Sequence, residues 1–275
     1  MSATKTPSPA DERASPNPDS RRSGQRPLII ADVRPEVVAG GIVRDDGEIA
    51  FYVRVNALLR PEMTVLDFGA GRGAVFSSNE VQLREKLCKL QGKVRKVIGV
   101  DVDDGILQHP YLDERYLMKI GGPIPVDDAS IDLAVAHWVF EHVQDPSHLA
   151  AELFRILKPG GWICARTPHR WSYVGVASSL LPHGVQSALL RWIKPSFPAE
   201  DKFPTVYKLN SFHALRKYFP DTKWLNCSYG VNSTPRYYFE NRLVFKILSA
   251  YQTFAWPKTD IIVLVQKRAG ALRAG

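Results

Sequence analysis

The sequence predicts an α/β fold built on a doubly wound, mostly parallel sheet, and three observations carry that expectation. Short apolar strands alternate with helical segments between Thr64 and Thr167; the strand Val65-Leu66-Asp67-Phe68 runs into a turn with glycines at 69, 71 and 73; and the second strand, Val97-Ile98-Gly99-Val100-Asp101, ends in an acid. Strands alternating with helices imply right-handed crossovers between parallel neighbours.

A helix precedes the sheet, since Ile49, Phe51, Tyr52, Val55, Leu58 and Leu59 recur at helical spacing from Glu48 to Leu59 and Pro61 cannot extend it. The alternation then reads as strand Thr64 to Phe68, helix Ser78 to Leu90, strand Lys96 to Asp101, a short strand Tyr116 to Lys119, and strand Ile131 to His137. Asp145-Pro146 starts the next helix: the carboxylate caps free N–H groups and proline fills a first-turn position that needs no donor. Lys158-Pro159-Gly160-Gly161 stops it and turns into strand Trp162 to Thr167. Residues 168–207, rich in Trp, Tyr, Phe, Pro and His, break the rhythm and read as an insertion that covers the site. The rhythm resumes with helix Ser211 to Tyr218, strand Lys223 to Tyr229, helix Phe239 to Phe254 within a helical insertion over 230–258, and a last strand Asp260 to Gln266.

Residues 1–27 collect five prolines among serines and mixed charges, with too little apolar surface to offset the entropy of ordering, and are expected to form a disordered tail. The remaining 28–275 suffice for one elaborated domain with a full core. Cys88, Cys164 and Cys227 lie far apart and form no CxxC or Cys/His cluster, which predicts neither disulfides nor a metal site and fits a cytoplasmic location. The most apolar stretch, Tyr173 to Ile193, is interrupted by Pro182, His183, Gly184 and Gln186, so neither export nor a membrane span is expected, although the run from Val174 is compatible with peripheral membrane contact. Residues 155–275 hold 18 Lys+Arg against 5 Asp+Glu, a surplus of 13 that, against the total of +8, leaves −5 for residues 1–154. Such a basic half suits an anionic partner or is simply a solvated surface.

The chemistry is carried by four segments. In the turn Asp67-Phe68-Gly69-Ala70-Gly71-Arg72-Gly73, three glycines tolerate φ > 0 and let the backbone approach a ligand at the carboxyl ends of the strands. Asp101 stands where a carboxylate accepts hydrogen bonds from both hydroxyls of a ribose, and Val102 beside it can pack on an adenine face. The third segment runs from Ile131-Asp132 through His137-Trp138-Val139-Phe140-Glu141-His142, and the fourth is Leu157-Lys158-Pro159-Gly160-Gly161. Together these resemble the class I S-adenosylmethionine-dependent methyltransferases that act on small molecules, over about residues 60–168. The resemblance implies a seven-stranded sheet whose last strand runs antiparallel. It also implies S-adenosyl-L-methionine as cofactor, with Asp67, Gly69, Gly71 and Gly73 lining its methionine and ribose end, Asp101 on the ribose, and Ala70, Val102 and His137 completing the binding set. The family's acid for the adenine amine has no counterpart in Lys119-Ile120-Gly121-Gly122-Pro123-Ile124-Pro125, which leaves backbone groups for that contact. His137-Trp138-Val139-Phe140 stands where base-amine methyltransferases carry Asn/Asp-Pro-Pro-Tyr/Phe, so base amino methylation is disfavoured and nucleic acid is not the expected partner.

Methyl transfer from a sulfonium is an in-line displacement dominated by positioning, worth about 7–11 kcal/mol in favourable cases. For a hydroxyl acceptor, His137, His142 and His169 are the candidate proton acceptors by position, each with a structural alternative as a loop, strand-end or surface residue. The expected acceptor is a small or medium-sized molecule of anionic, glycan-derived or lipid-like chemistry. Rival readings are an RNA or protein methyltransferase, a non-catalytic methyltransferase-like binding protein, and a nicotinamide-dependent oxidoreductase. The last of these wants G-x-G-x-x-G, whereas Gly73 falls one position early. The oligomeric state is open.

Overall fold

The computed structural model describes residues 29–73, 76, 81–173, 175–176, 203–235, 238–239 and 241–270. The tail read over 1–27, the start of the helix expected from Ser78, and most of the 168–207 insertion lie outside them. Helix α1 (Gly47–Leu58) leads into β1 (Thr64–Phe68), followed by α2 (Gln82–Cys88), β2 (Lys96–Asp101), β3 (Glu114–Leu117) and β4 (Ile131–His137). Then come α3 (Pro146–Ile156), β5 (Leu157–Pro168), α4 (Phe212–Tyr218), β6 (Trp224–Asn226), β7 (Tyr229–Val231), α5 (Arg242–Phe254) and β8 (Asp260–Lys267).

One mixed sheet orders the strands β3-β2-β1-β4-β5-β8-β6, with β7 also on β8. The first five run parallel, and β8 is antiparallel to β5 from Trp162↔Gln266 to Pro168↔Asp260, as expected for the last strand. The sheet has eight strands rather than seven, because the segment expected as one strand from Lys223 to Tyr229 is split. The register is continuous across the gap, but Ser228 leaves the ladder: its N–H donates to Asn226 Oδ1 at 3.0 Å, and its Oγ accepts from the Leu264 N–H at 3.1 Å. Side chains thus take the bonds that a continuous strand would have made.

Adjacent residues of β1 point to opposite faces, and each face has its own core. Val65 packs with Phe51 and Val55 of α1, Cys88 of α2, and Leu133. Leu66 packs with Leu149, Leu153 and Ile156 of α3 and Leu215 of α4. Each fully buried side chain of this class contributes about 1.5–3 kcal/mol. At the amino ends of the strands, Asp132 accepts from the Thr64 N–H at 2.8 Å and pairs with Lys158 Nζ at 2.8 Å, locking β1, β4 and β5 together. The Asp132 and Lys158 positions of the sequence pattern therefore hold the frame. The other end of the sheet is left to carry the site.

Candidate functional site

At the carboxyl end of β1 the chain reverses through Gly69, Gly71 and Gly73, with φ of +73°, +57° and +75°. The Gly69 N–H donates to Val100 O at 2.7 Å, and a Cβ on Gly69 would stand 2.4 Å from Val139 Cγ2, so no side chain fits there. Asp101, at the end of β2, is buried and completes the turn: its Oδ2 accepts from the Gly71 N–H at 2.7 Å and its Oδ1 from the Asp103 N–H at 2.9 Å. An ionised carboxylate has about four acceptor directions. Two are used for the turn.

Gly69, Gly71, Asp101 and Val102 line a cavity of about 400 Å³, within the ~300–1,000 Å³ typical of cofactor sites. Met118, Ile120, Gly121 and Gly122 wall the far end, where the sequence offered no acid, and Trp138, Val139 and His142 close the side nearest β4. From α3, His148 and Glu152 also reach it. They are held there by their own bonds, His148 Nε2 lying 3.2 Å from Gly122 O and Glu152 Oε2 accepting from the Ile124 N–H at 2.7 Å. His148 and Glu152 were not among the residues read from the sequence, although the Asp145-Pro146 helix start with a four-residue spacing puts both on one face. Helix α3 starts as expected, with Asp145 Oδ1 accepting from the Ser147 and His148 N–H groups.

Asp67 is half-buried at the base of the turn. Burial, and then the nearby Asp101 carboxylate, raise its pKa to about 7. Ala70 is half-buried in the turn and packs on the core beneath α1.

The three candidate histidines are placed apart. His142 follows Glu141, whose buried carboxylate accepts from Thr167 Oγ1 at 3.0 Å. Its Nδ1 lies 3.3 Å from Pro204 O, and burial lowers its pKa against the raising effect of the Pro204 and Phe203 backbone. A carbonyl only accepts, so Nδ1 carries the proton and Nε2 is the basic nitrogen. His137 lies outside the cavity lining, stacked on Phe51 at 5.5 Å, with its Nε2 lone pair facing the Arg166 Nη1 donor at 3.3 Å. His169 is buried rather than on the surface; its Nδ1 accepts from the Trp171 N–H at 3.1 Å, and burial lowers its pKa.

A second polar cluster sits beside His137. Arg166 donates through Nε and Nη2 to Asp260 Oδ2 at 2.9 and 2.7 Å, and Ser233 Oγ accepts from Arg166 and donates to the same carboxylate oxygen. Arg166 and Asp260 are almost fully buried. The indole of Trp138, held at φ +61°, lies 4.7 Å from the Arg166 guanidinium while also lining the cavity, so one side chain touches both places. Among the described residues no group of three His, Cys, Asp or Glu side chains could hold a metal ion.

A family model described as a methyltransferase domain matches residues 47–222. A probable S-adenosylmethionine-dependent methyltransferase of Mycolicibacterium smegmatis is 37% identical over 84 residues, covering 29% of this chain and 32% of that protein. A ubiquinone biosynthesis O-methyltransferase of Hydrogenovibrio crunogenus is 25% identical over 203 residues, 70% of this chain and 76% of that one. The chain spans about a third of the length of several curated relatives it matches. A solved S-adenosylmethionine-dependent methyltransferase from Aquifex aeolicus superposes with a TM-score of 0.47 at 15% identity, covering 92% of this chain and 99% of that one.

Proposed function

The chain belongs to the methyltransferase domain family, and from that premise we propose that it is an S-adenosyl-L-methionine-dependent enzyme that methylates a small or medium-sized acceptor. The observation that carries the reading is Asp101. Its two oxygens fix the glycine turn through one backbone N–H group each, and the residue lines the cavity with acceptor capacity to spare, which suits the paired hydroxyls of a ribose. The residues present fit the donor: Asp101 for the ribose, Gly69 and Gly71 for close backbone approach, and apolar Val102, Met118 and Ile120 for a flat heterocycle. When bound, S-adenosyl-L-methionine supplies a methyl group activated by its sulfonium. The protein's own contribution is to orient the reactants, exclude water with the Trp138 and Val139 wall, and receive a proton. For a hydroxyl acceptor we assign that last role to His142 Nε2, since Nδ1 is committed to Pro204 O and the lowered pKa keeps the ring neutral at pH 7. The likeness to the Hydrogenovibrio O-methyltransferase supports a hydroxyl on a small, lipid-like acceptor.

Asp101→Ala tests the donor site. Charge-assisted hydrogen bonds are worth about 1.5–3 kcal/mol each, so calorimetric affinity for S-adenosyl-L-methionine should fall about tenfold or more. Unchanged affinity in a variant with a normal melting transition refutes the assignment, as does stabilisation of the wild type by NAD and not by S-adenosyl-L-methionine. His142→Gln should lower turnover of a hydroxyl acceptor by about 10²-fold or more and, since the ring also lines the cavity, lower donor affinity by far less than Asp101→Ala does. Turnover at the wild-type rate removes the histidine from the proton path.

A further inference from the structure

We propose that the outward face of α5, with the segment that follows it, is a docking surface for an anionic lipid bilayer. Helix α5 is apolar on two sides. Its inner side, with Val244, Phe245 and Leu248, packs on Ile29 and Tyr238. Its outer side repeats Leu243, Ile247, Tyr251 and Phe254 at helical spacing, and these are exposed: Leu243 by 66%, Ile247 by 58% and Phe254 by 89%, with Trp256 beyond the helix end at 75%. Scattered apolar residues on a surface need no explanation, but a contiguous helical stripe ending in Phe and Trp does.

Charge identifies the occupant. From Asn241 to Thr259 the sequence holds Arg242, Lys246 and Lys258 and no Asp or Glu. One of these cations is already matched, Arg242 pairing with Asp32. Lys246 is exposed one residue before Ile247, and Lys258 follows Trp256 closely. An apolar stripe with aromatic ends, flanked by Lys246 and Lys258 and with its one neighbouring acid, Asp32, already matched by Arg242, suits an interface whose interior is hydrocarbon and whose headgroups are negative. A lysine at its edge can keep its ammonium among the headgroups while its stem lies along apolar surface. A second copy of this chain would bring the same cations against each other, which disfavours self-association through this face.

The surface lies at the working end of the sheet. Trp256 is followed within four residues by Asp260, the partner of Arg166, and Tyr251 meets Tyr173, just beyond β5, at 6.4 Å. A bilayer docked on α5 would therefore lie beside the His137 and Arg166 end of the fold. The inference concerns this surface alone; vesicle binding is read without turnover, so its failure and the failure of the donor-site reading are separable.

The test is co-sedimentation of the full chain with phosphatidylcholine vesicles containing about one-third phosphatidylserine, against phosphatidylcholine alone. Wild type is expected to partition about tenfold or more in favour of the anionic vesicles and to be released by raised salt. Leu243→Ser/Ile247→Ser/Phe254→Ser should lose about tenfold or more of that binding, and Lys246→Glu/Lys258→Glu should remove the preference for phosphatidylserine. Both variants are expected to keep the cooperative melting transition of the wild type, which reports an intact fold. Should the triple variant not fold, Phe254→Ser alone, at the most exposed position, serves with a smaller loss. Absence of wild-type binding to anionic vesicles, or full binding by the apolar variant, overturns the proposal. So does a wild-type dimer in light scattering that the triple substitution converts to monomer with no change in vesicle binding.

Discussion

The candidate donor cavity and the polar cluster beside His137 are built on opposite principles. The proposed donor end is made of backbone: three positive-φ glycines and one carboxylate that spends half of its acceptor capacity on main-chain N–H groups. The end beside His137 is made of side chains brought from far apart, with Arg166 and Asp260 94 residues from each other and Ser233 between them in sequence. Gly47 of α1 belongs there too, since a Cβ on it would meet Ser233 Oγ and the Arg166 guanidinium. The first arrangement is preorganised to accept a ligand. The second is satisfied within itself and is held by electrostatics in a buried setting.

The sharpest way to break this contrast is to open the ion pair. Arg166→Met leaves Asp260 buried with Ser233 as its remaining partner, and removing one member of a buried pair costs about 3–5 kcal/mol. Urea denaturation should show a loss of that size. Arg166→Met/Asp260→Leu should recover much of it, because no uncompensated charge remains. Donor affinity should change little in the double variant. A loss below about 1 kcal/mol in Arg166→Met shows that the cluster is not what holds this end of the sheet.

The same contrast decides what the sequence could disclose. Gly69, Gly71, Gly73 and Asp101 were legible because their spacing is imposed by a short strand, a reversal and the end of the next strand, all local geometry. Lys158 and the buried Glu141 were legible as pattern, yet the structure assigns them to framing through Asp132 and Thr167. Arg166, Ser233 and Asp260 were not legible, because they meet only after β8 inserts between β5 and β6, which local periodicity does not encode. Trp138 was visible as a residue but not as a bridge, since its role depends on a left-handed backbone conformation that tryptophan rarely adopts. The split of the strand into β6 and β7 depended on the Ser228 hydroxyl competing for one ladder hydrogen bond. Of the missed cavity residues, His148 and Glu152 carried a readable signal in the helix that Asp145 caps.

A smaller effect is expected at the donor turn itself. Gly69→Ala places a side chain at φ +73° and 2.4 Å from Val139 Cγ2, and a strained left-handed residue costs about 1–3 kcal/mol. The loss should be shared between thermal stability and donor affinity, because the turn must move away from Val139. Gly71→Ala, at φ +57° with no atom within 4 Å of the added Cβ, should cost less stability while placing its methyl at the cavity. Equal stabilities for the two alanine variants would mean that contact with Val139 does not set the turn.

The smallest effect tests the charge balance beneath that turn. Asp67, raised to about 7 by burial and by Asp101, stays protonated in the folded chain over a range where an unfolded aspartate, at ~3.9, has ionised. The folded state therefore holds a proton that the unfolded state has lost. Stability from this group is full at low pH and declines as pH rises from about 4 to about 7. Asp67→Asn should flatten that decline in denaturation midpoints measured between pH 5 and 8. Donor binding should respond with the opposite sign, because a sulfonium and an ammonium placed near the turn favour the ionised carboxylate. Wild-type affinity should accordingly rise by several-fold from pH 6 to pH 8, with proton release on binding near pH 6.5, and both effects should vanish in Asp67→Asn. A pH-independent wild type would mean that the donor's cationic end lies away from Asp67, leaving Asp101 to recognise the ribose and Asp67 only to shape the loop.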